Sequence, residues 1–99
     1  METLLEGTGL TAKGNCLIQE LEPFIKSLRD LVESERNSIE IDLGQVDSID
    51  TACIQLLASC RCSALARGKT FRIVKMSEPV SEALHITGLK RIFENKGVN

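Results

Sequence analysis

From Ile39 to Leu43 the chain alternates, with Ile39, Ile41 and Leu43 on one side and Glu40 and Asp42 on the other. A period of two predicts a short strand with one buried face. The polar stretch Gly44-Gln45-Val46-Asp47-Ser48 reads as a turn after it. The period then changes. Between Thr51 and Gly68, Ile54, Leu57, Ala58 and Leu65 mark the buried side of a helix, and Arg61 and Arg67 the wet side. Asp50 stands just before it as a natural N-cap, its carboxylate able to accept from the free N–H groups of the first turn. Ala52, Ala58, Ala64 and Ala66 are small enough for close packing on a sheet. Gly68 suits the position after the last turn, and Lys69 suits its negative end.

Before this stretch, Leu4-Leu5 predicts a short strand running into a glycine-rich turn, Glu6-Gly7-Thr8-Gly9-Leu10. Leu17, Leu21, Phe24, Leu28 and Leu31, widened by Ile18, Ile25 and Val32, fall on one face of an amphipathic helix. Pro23 is tolerated only in a first turn, so the regular helix is predicted to begin near Glu22, with Cys16 to Glu20 a separate turn or short strand. After Gly68, Phe71-Arg72-Ile73-Val74 predicts another strand. A third helix follows, with Ser77 as N-cap, Pro79 in the first turn, a Val80, Ala83, Leu84 stripe and Gly88 as its stop. Leu89, Ile92 and Phe93 form a last apolar turn before the polar tail, Glu94 to Asn99. Strands alternating with helices predict an α/β fold whose sheet is partly parallel.

A length of 99 residues is enough for one domain, 1–99, with a single core. With 42% apolar and 26% charged residues the composition is that of an ordinary globular chain. The net charge of −2 argues against a nucleic-acid module, and without Trp or Tyr, and with only Phe24, Phe71 and Phe93, no stacking platform for bases is expected. No apolar run is long enough to cross a bilayer, and the N-terminus lacks the pattern of a signal peptide, so a cytoplasmic location without membrane insertion is expected.

Catalytic chemistry is hard to build from these residues. His85 is the only histidine, placed between Leu84 and Ile86 as a half-buried packing residue, and no hydrolase triad can be assembled. Cys16, Cys53, Cys60 and Cys62 contain no C-x-x-C pair, so buried free thiols are expected and no metal centre. The two N-terminal glycines fit neither G-x-G-x-x-G nor a P-loop. Asp42, Asp47 and Asp50 lie at or after a strand end, where carboxylates could hold Mg²⁺ as in response-regulator receivers. A receiver also wants an acidic pair near its first strand and a lysine after a late one. Only Lys75 is near such a place, so caps and solvated turn positions account better for the aspartates. No metal or other cofactor is expected.

The run Ile39-Glu40-Ile41-Asp42-Leu43 followed by Val46-Asp47-Ser48-Ile49-Asp50-Thr51-Ala52-Cys53-Ile54-Gln55-Leu56-Leu57 resembles the centre of STAS domains, the sulphate-transporter and anti-sigma-factor-antagonist family. Arg67-Gly68-Lys69 with Ile73-Val74 resembles the family's next helix-to-strand junction. Ser77-Glu78-Pro79-Val80, running on to Leu84 and Gly88-Leu89, resembles its S-P-x-V … L-x-x-x-G-L segment. The resemblance extends over roughly Leu4 to Phe93 and implies an α/β STAS-type single domain, a small mixed β-sheet packed by helices.

In the antagonist branch of that family, the hydroxyl after the motif aspartate is phosphorylated by a kinase that doubles as an anti-sigma factor. The matching position is Thr51, after Asp50. Threonine stands there in place of the commoner serine, as in the lipid-transport and stressosome branches, and Cys53 replaces the usual glycine. The resemblance thus implies a non-catalytic regulator that binds a serine/threonine kinase anti-sigma factor through Asp47, Ser48, Asp50, Thr51, Ala52 and Gln55. Phosphorylation of Thr51 would switch partners. The alternative it implies is an accessory subunit docked by the same surface on an ABC-type phospholipid-transport ATPase.

Overall fold

The strand with the clearest alternation is the middle of the sheet. In a computed structural model that describes residues 2–6, 9–17, 19 and 21–94, β3 (Ser38–Ile49) lies between β2 (Gly9–Cys16) and β4 (Thr70–Met76), parallel to both. The edge strand β1 (Glu2–Glu6) pairs antiparallel with β2, giving the order β1-β2-β3-β4. Parallel neighbours need long crossovers, which α1 (Glu22–Glu33) and α2 (Thr51–Ala66) supply. Two further helices, α3 (Glu78–Ile86) and α4 (Lys90–Glu94), follow β4.

One face of the sheet carries the core. Leu10 and Ala12 of β2, Ile39, Ile41, Leu43 and Val46 of β3, and Phe71 and Ile73 of β4 are buried there. Phe24, Leu28, Leu31 and Val32 of α1 join them, along with Ile54 and Leu57 of α2 and Val80 and Leu84 of α3. Phe93 secures α4, its ring centroid 6.3 Å from that of Phe71. Such side chains contribute about 1.5–3 kcal/mol each on removal from water. The other sheet face is more open and holds the half-exposed Arg72–Glu40 ion pair at 2.8 Å, with Val74 exposed beside it.

Helix boundaries follow the sequence closely. Pro23 sits in the first turn of α1, which begins at Glu22. Ser77 caps α3, accepting from the Val80 N–H at 3.4 Å. Gly68 takes φ +75 after α2 and Gly88 φ +78 after α3, the left-handed conformation that favours glycine at a helix end. Lys69 does more than face the end of its own helix. Its ammonium is buried and donates to the carbonyls of Ser34 and Arg36, just beyond α1, while Arg67 reaches Val32 O at 3.3 Å.

Four expectations are corrected. Residues 44–48 are strand, not turn: the pairing of β3 with β2 shifts between Thr11 and Lys13 and again between Gly14 and Asn15. Each shift puts one extra residue into β3 as a bulge, and the first returns Val46 to the buried face three positions after Leu43. The first bulge falls at Gly44, whose N–H donates to Asp42 Oδ1 at 2.9 Å and where a Cβ would stand 3.2 Å from that oxygen. Second, residues 9–16 form β2, missed because Leu10, Ala12 and Cys16 are a sparse apolar signal among Gly, Lys and Asn. Third, Leu65 is 39% exposed and Ala64 fully buried, so the buried face of α2 is turned one residue toward Cys53. Fourth, His85 is exposed, one step round α3 from the buried Leu84. Gly7 and Thr8 of the N-terminal turn, Ile18 and Glu20 of the segment before α1, and residues 95–99 of the tail lie outside the described residues. Among the described residues no helix is long and apolar enough to cross a membrane.

Candidate functional site

The carboxyl ends of β2 and β3 meet the amino end of α2, where α/β sheets place their binding surfaces. Asp50 makes the junction. Its backbone is extended (φ −109, ψ 173), and its Oδ1 accepts from the Cys53 N–H at 3.0 Å as the expected N-cap. Its own N–H donates to Cys16 O at 3.1 Å, and its carbonyl accepts from the Ile54 N–H at 3.2 Å. Thus one residue ends β3, starts α2 and binds the end of β2.

Thr51 is the first residue of α2 and is exposed, as is Gln55 one turn along the same face. Ala52 is half-buried beside them. Asp47 is exposed on the second bulge of β3, and Ser48 is half-buried with its hydroxyl donating to Asn15 Oδ1 at 2.8 Å. The residues singled out from the sequence therefore fall at one end of the sheet: Asp47 and Ser48 at the end of β3, Asp50 at the junction, and Thr51, Ala52 and Gln55 at the start of α2. Asn15 belongs with them and was missed, because it lies in the unrecognised β2. The N–H end of α2 favours negative charge at Thr51, whereas the carboxylates of Asp47 and Asp50 oppose it. Among the described residues no three His, Cys, Asp or Glu side chains converge as a metal site.

The cysteines depart from expectation. Cys16, last in β2, and Cys53, in the first turn of α2, form a disulfide with Cα atoms 6.3 Å apart and 37 residues apart in sequence. Both residues are fully buried. The Cα separation is an ordinary one for a disulfide. Sequence spacing could not reveal it, because parallel pairing of Cys16 with Ile49 is what brings the first turn of α2 to Cys16. Cys60 and Cys62 are free thiols, the first half-buried and the second exposed. Burial pushes the Cys60 thiol up, and the Arg29 guanidinium pulls it part of the way back.

Comparison with known proteins gives a family and a fold. The family model described as "Mlab, STAS domain" matches residues 2–94. Among solved structures, the anti-sigma factor antagonist SpoIIAA in its unphosphorylated form superposes with a TM-score of 0.74. The alignment covers 90% of this chain and 81% of that one at 11% identity, so the likeness is one of fold. No curated protein matches the sequence.

Proposed function

The chain belongs to the STAS domain family, and from that premise we propose that it is a non-catalytic regulator of the anti-sigma factor antagonist type. It acts by binding a protein partner through the surface at the start of α2. The partner is a serine/threonine kinase that serves as anti-sigma factor, and both work in the cytoplasm. Asp47, Ser48, Asp50, Thr51, Ala52 and Gln55 form the contact, with Thr51 the phosphorylated residue. Exposure of Thr51 at the first position of a capped helix carries this reading. A hydroxyl there is open to a kinase, and a phosphate on it gains from the free N–H groups of the first turn.

Switching follows from charge. Phosphorylation adds about −1.5 to −2 charges beside Asp47 and Asp50. Within the domain the helix end offsets part of that repulsion. Across an interface it does not, and a partner surface matched to the unmodified site is driven off.

A second reading keeps the surface and changes the partner to an ABC-type ATPase subunit of phospholipid transport. Threonine rather than serine at position 51, as in the lipid-transport branch and also the stressosome branch, accommodates it. There Thr51 is an interface hydroxyl without phosphorylation.

Affinity capture from native extract with wild-type and Thr51→Glu protein, followed by identification of the bound ATPase, separates the two. A kinase that phosphorylates wild-type protein and is lost with Thr51→Glu supports the first reading. An ABC-type subunit that leaves Thr51 unmodified supports the second. Recovery of neither class by wild-type protein removes both.

A further inference from the structure

We propose that Cys16 and Cys53 form a reversible thiol–disulfide site that sets the order of the first turn of α2. The bond joins the last residue of β2 to the turn that carries Thr51, so its constraint acts where the candidate surface is built. The core itself extends well beyond the bond. Buried side chains from β2, β3, β4 and every helix make a continuous core, and β2 is already paired with β3 from Gly9 to Cys16. The hydrogen bond from Asp50 N–H to Cys16 O, at 3.1 Å, holds the same two segments without the sulfurs. A permanent staple would duplicate what backbone pairing provides. A breakable one adds control over a single helical turn.

The exchange partner is a small-molecule disulfide of the glutathione class. The Cys53 thiolate attacks one sulfur of the small disulfide and expels the other as thiolate. The Cys16 thiolate then attacks the Cys53 sulfur of the mixed disulfide and releases the second small thiolate. Two protein thiols become one disulfide, the small disulfide becomes two thiols, and the two protons leave with them. Reduction runs the same steps backward. In the cytoplasmic location proposed above, such a bond forms only when the thiol pool turns oxidising. Both cysteines are fully buried, so each exchange requires the amino end of α2 to open.

In the reduced protein the hydrogen bonds at this turn include Asp50 N–H to Cys16 O, Cys53 N–H to Asp50 Oδ1, and Ile54 N–H to Asp50 O. These amides report the switch whether or not a partner binds there, so the outcome is separate from the proposed function. The test uses the full chain carrying Cys60→Ser and Cys62→Ser, equilibrated with reduced or oxidised glutathione, with intact mass and amide hydrogen exchange as readouts. Expected is a bond that forms and opens with the glutathione ratio while the domain stays folded. Exchange at Asp50, Cys53 and Ile54 should quicken about tenfold or more on reduction, beyond any change at Ile41 and Ile73 that reports global stability. A further Cys16→Ala, Cys53→Ala variant should show the fast exchange at every ratio. The proposal is overturned if no bond forms in oxidised glutathione, or if the bond survives excess reduced glutathione. It is equally overturned if reduction unfolds the whole domain, or leaves the three amides unchanged.

Discussion

Asp50 and Cys16 share a backbone hydrogen bond of 3.1 Å, and through it the end of β2 and the start of α2 become one unit. The side chain of Asp50 caps the helix in the same place. The charged cap, the exposed hydroxyl of Thr51 and the Cys16–Cys53 bond therefore cannot move independently.

Loss of that cap should be measurable. Asp50→Ala removes the acceptor for the Cys53 N–H while leaving the backbone bonds of residue 50 in place. A destabilisation of about 0.5–2 kcal/mol is expected. Asn can accept the same bond, so Asp50→Asn should recover most of it. Urea titrations of the three proteins check this, and equal midpoints for wild type and Asp50→Ala would deny the cap its role.

Lys69 should matter more than a surface lysine. Its buried ammonium satisfies the carbonyls of Ser34 and Arg36, which end α1 and lead into β3. Lys69→Met keeps the apolar stem and deletes the donors. The stranded carbonyls should cost about 1–3 kcal/mol, again read from denaturant midpoints. A neutral result would mean that water replaces the ammonium.

What the sequence made legible follows from how strongly each segment is patterned. Ile39, Ile41 and Leu43 announce a strand because every second side chain is large and apolar, and the caps at Asp50 and Ser77 announce helix starts by residue type alone. The end of β3 was hidden because bulges break its period: Leu43 and Val46 both point inward three positions apart. β2 was hidden because its inward residues include a small Ala12 and a Cys16. That second loss concealed part of the site as well. Asn15, which binds Ser48, and Cys16, which bonds to Cys53, are both on β2 and reach their partners only through its pairing with β3. Thr51 and Asp50 needed no such pairing, since local helix signals define them.

Phe93 tests whether α4 is integral to the core. The helix spans only Lys90–Glu94, too short to persist alone, and the fully buried Phe93 packs on Phe71 of β4. Phe93→Ala should cost about 3–5 kcal/mol. Hydrogen exchange in the variant should quicken at Ile92 and residue 93 beyond the global effect. A loss well under 1 kcal/mol would show that neighbouring side chains collapse into the space.

The last prediction concerns Thr51, which should decide partner binding while contributing little to the fold. Its side chain is exposed, and the first-turn residues that hold α2 in the core are Cys53 and Ile54. Thr51→Glu puts a carboxylate at a helix amino end, where the isolated domain should be unchanged or gain about 0.3–1 kcal/mol. The same carboxylate adds to the negative charge of Asp47 and Asp50. Binding to the ATPase partner should therefore weaken by about 1–3 kcal/mol, tenfold or more. Thr51→Ala should bind as wild type and accept no phosphate. Calorimetry of the free domain and titration against the captured partner read the two effects separately. If Thr51→Glu melts well below wild type, the side chain is part of the packing. If it binds undiminished, the switch lies elsewhere on the surface. In either event the regulatory role proposed for position 51 is lost, and the exposed hydroxyl is only that of the first residue of a well-capped helix.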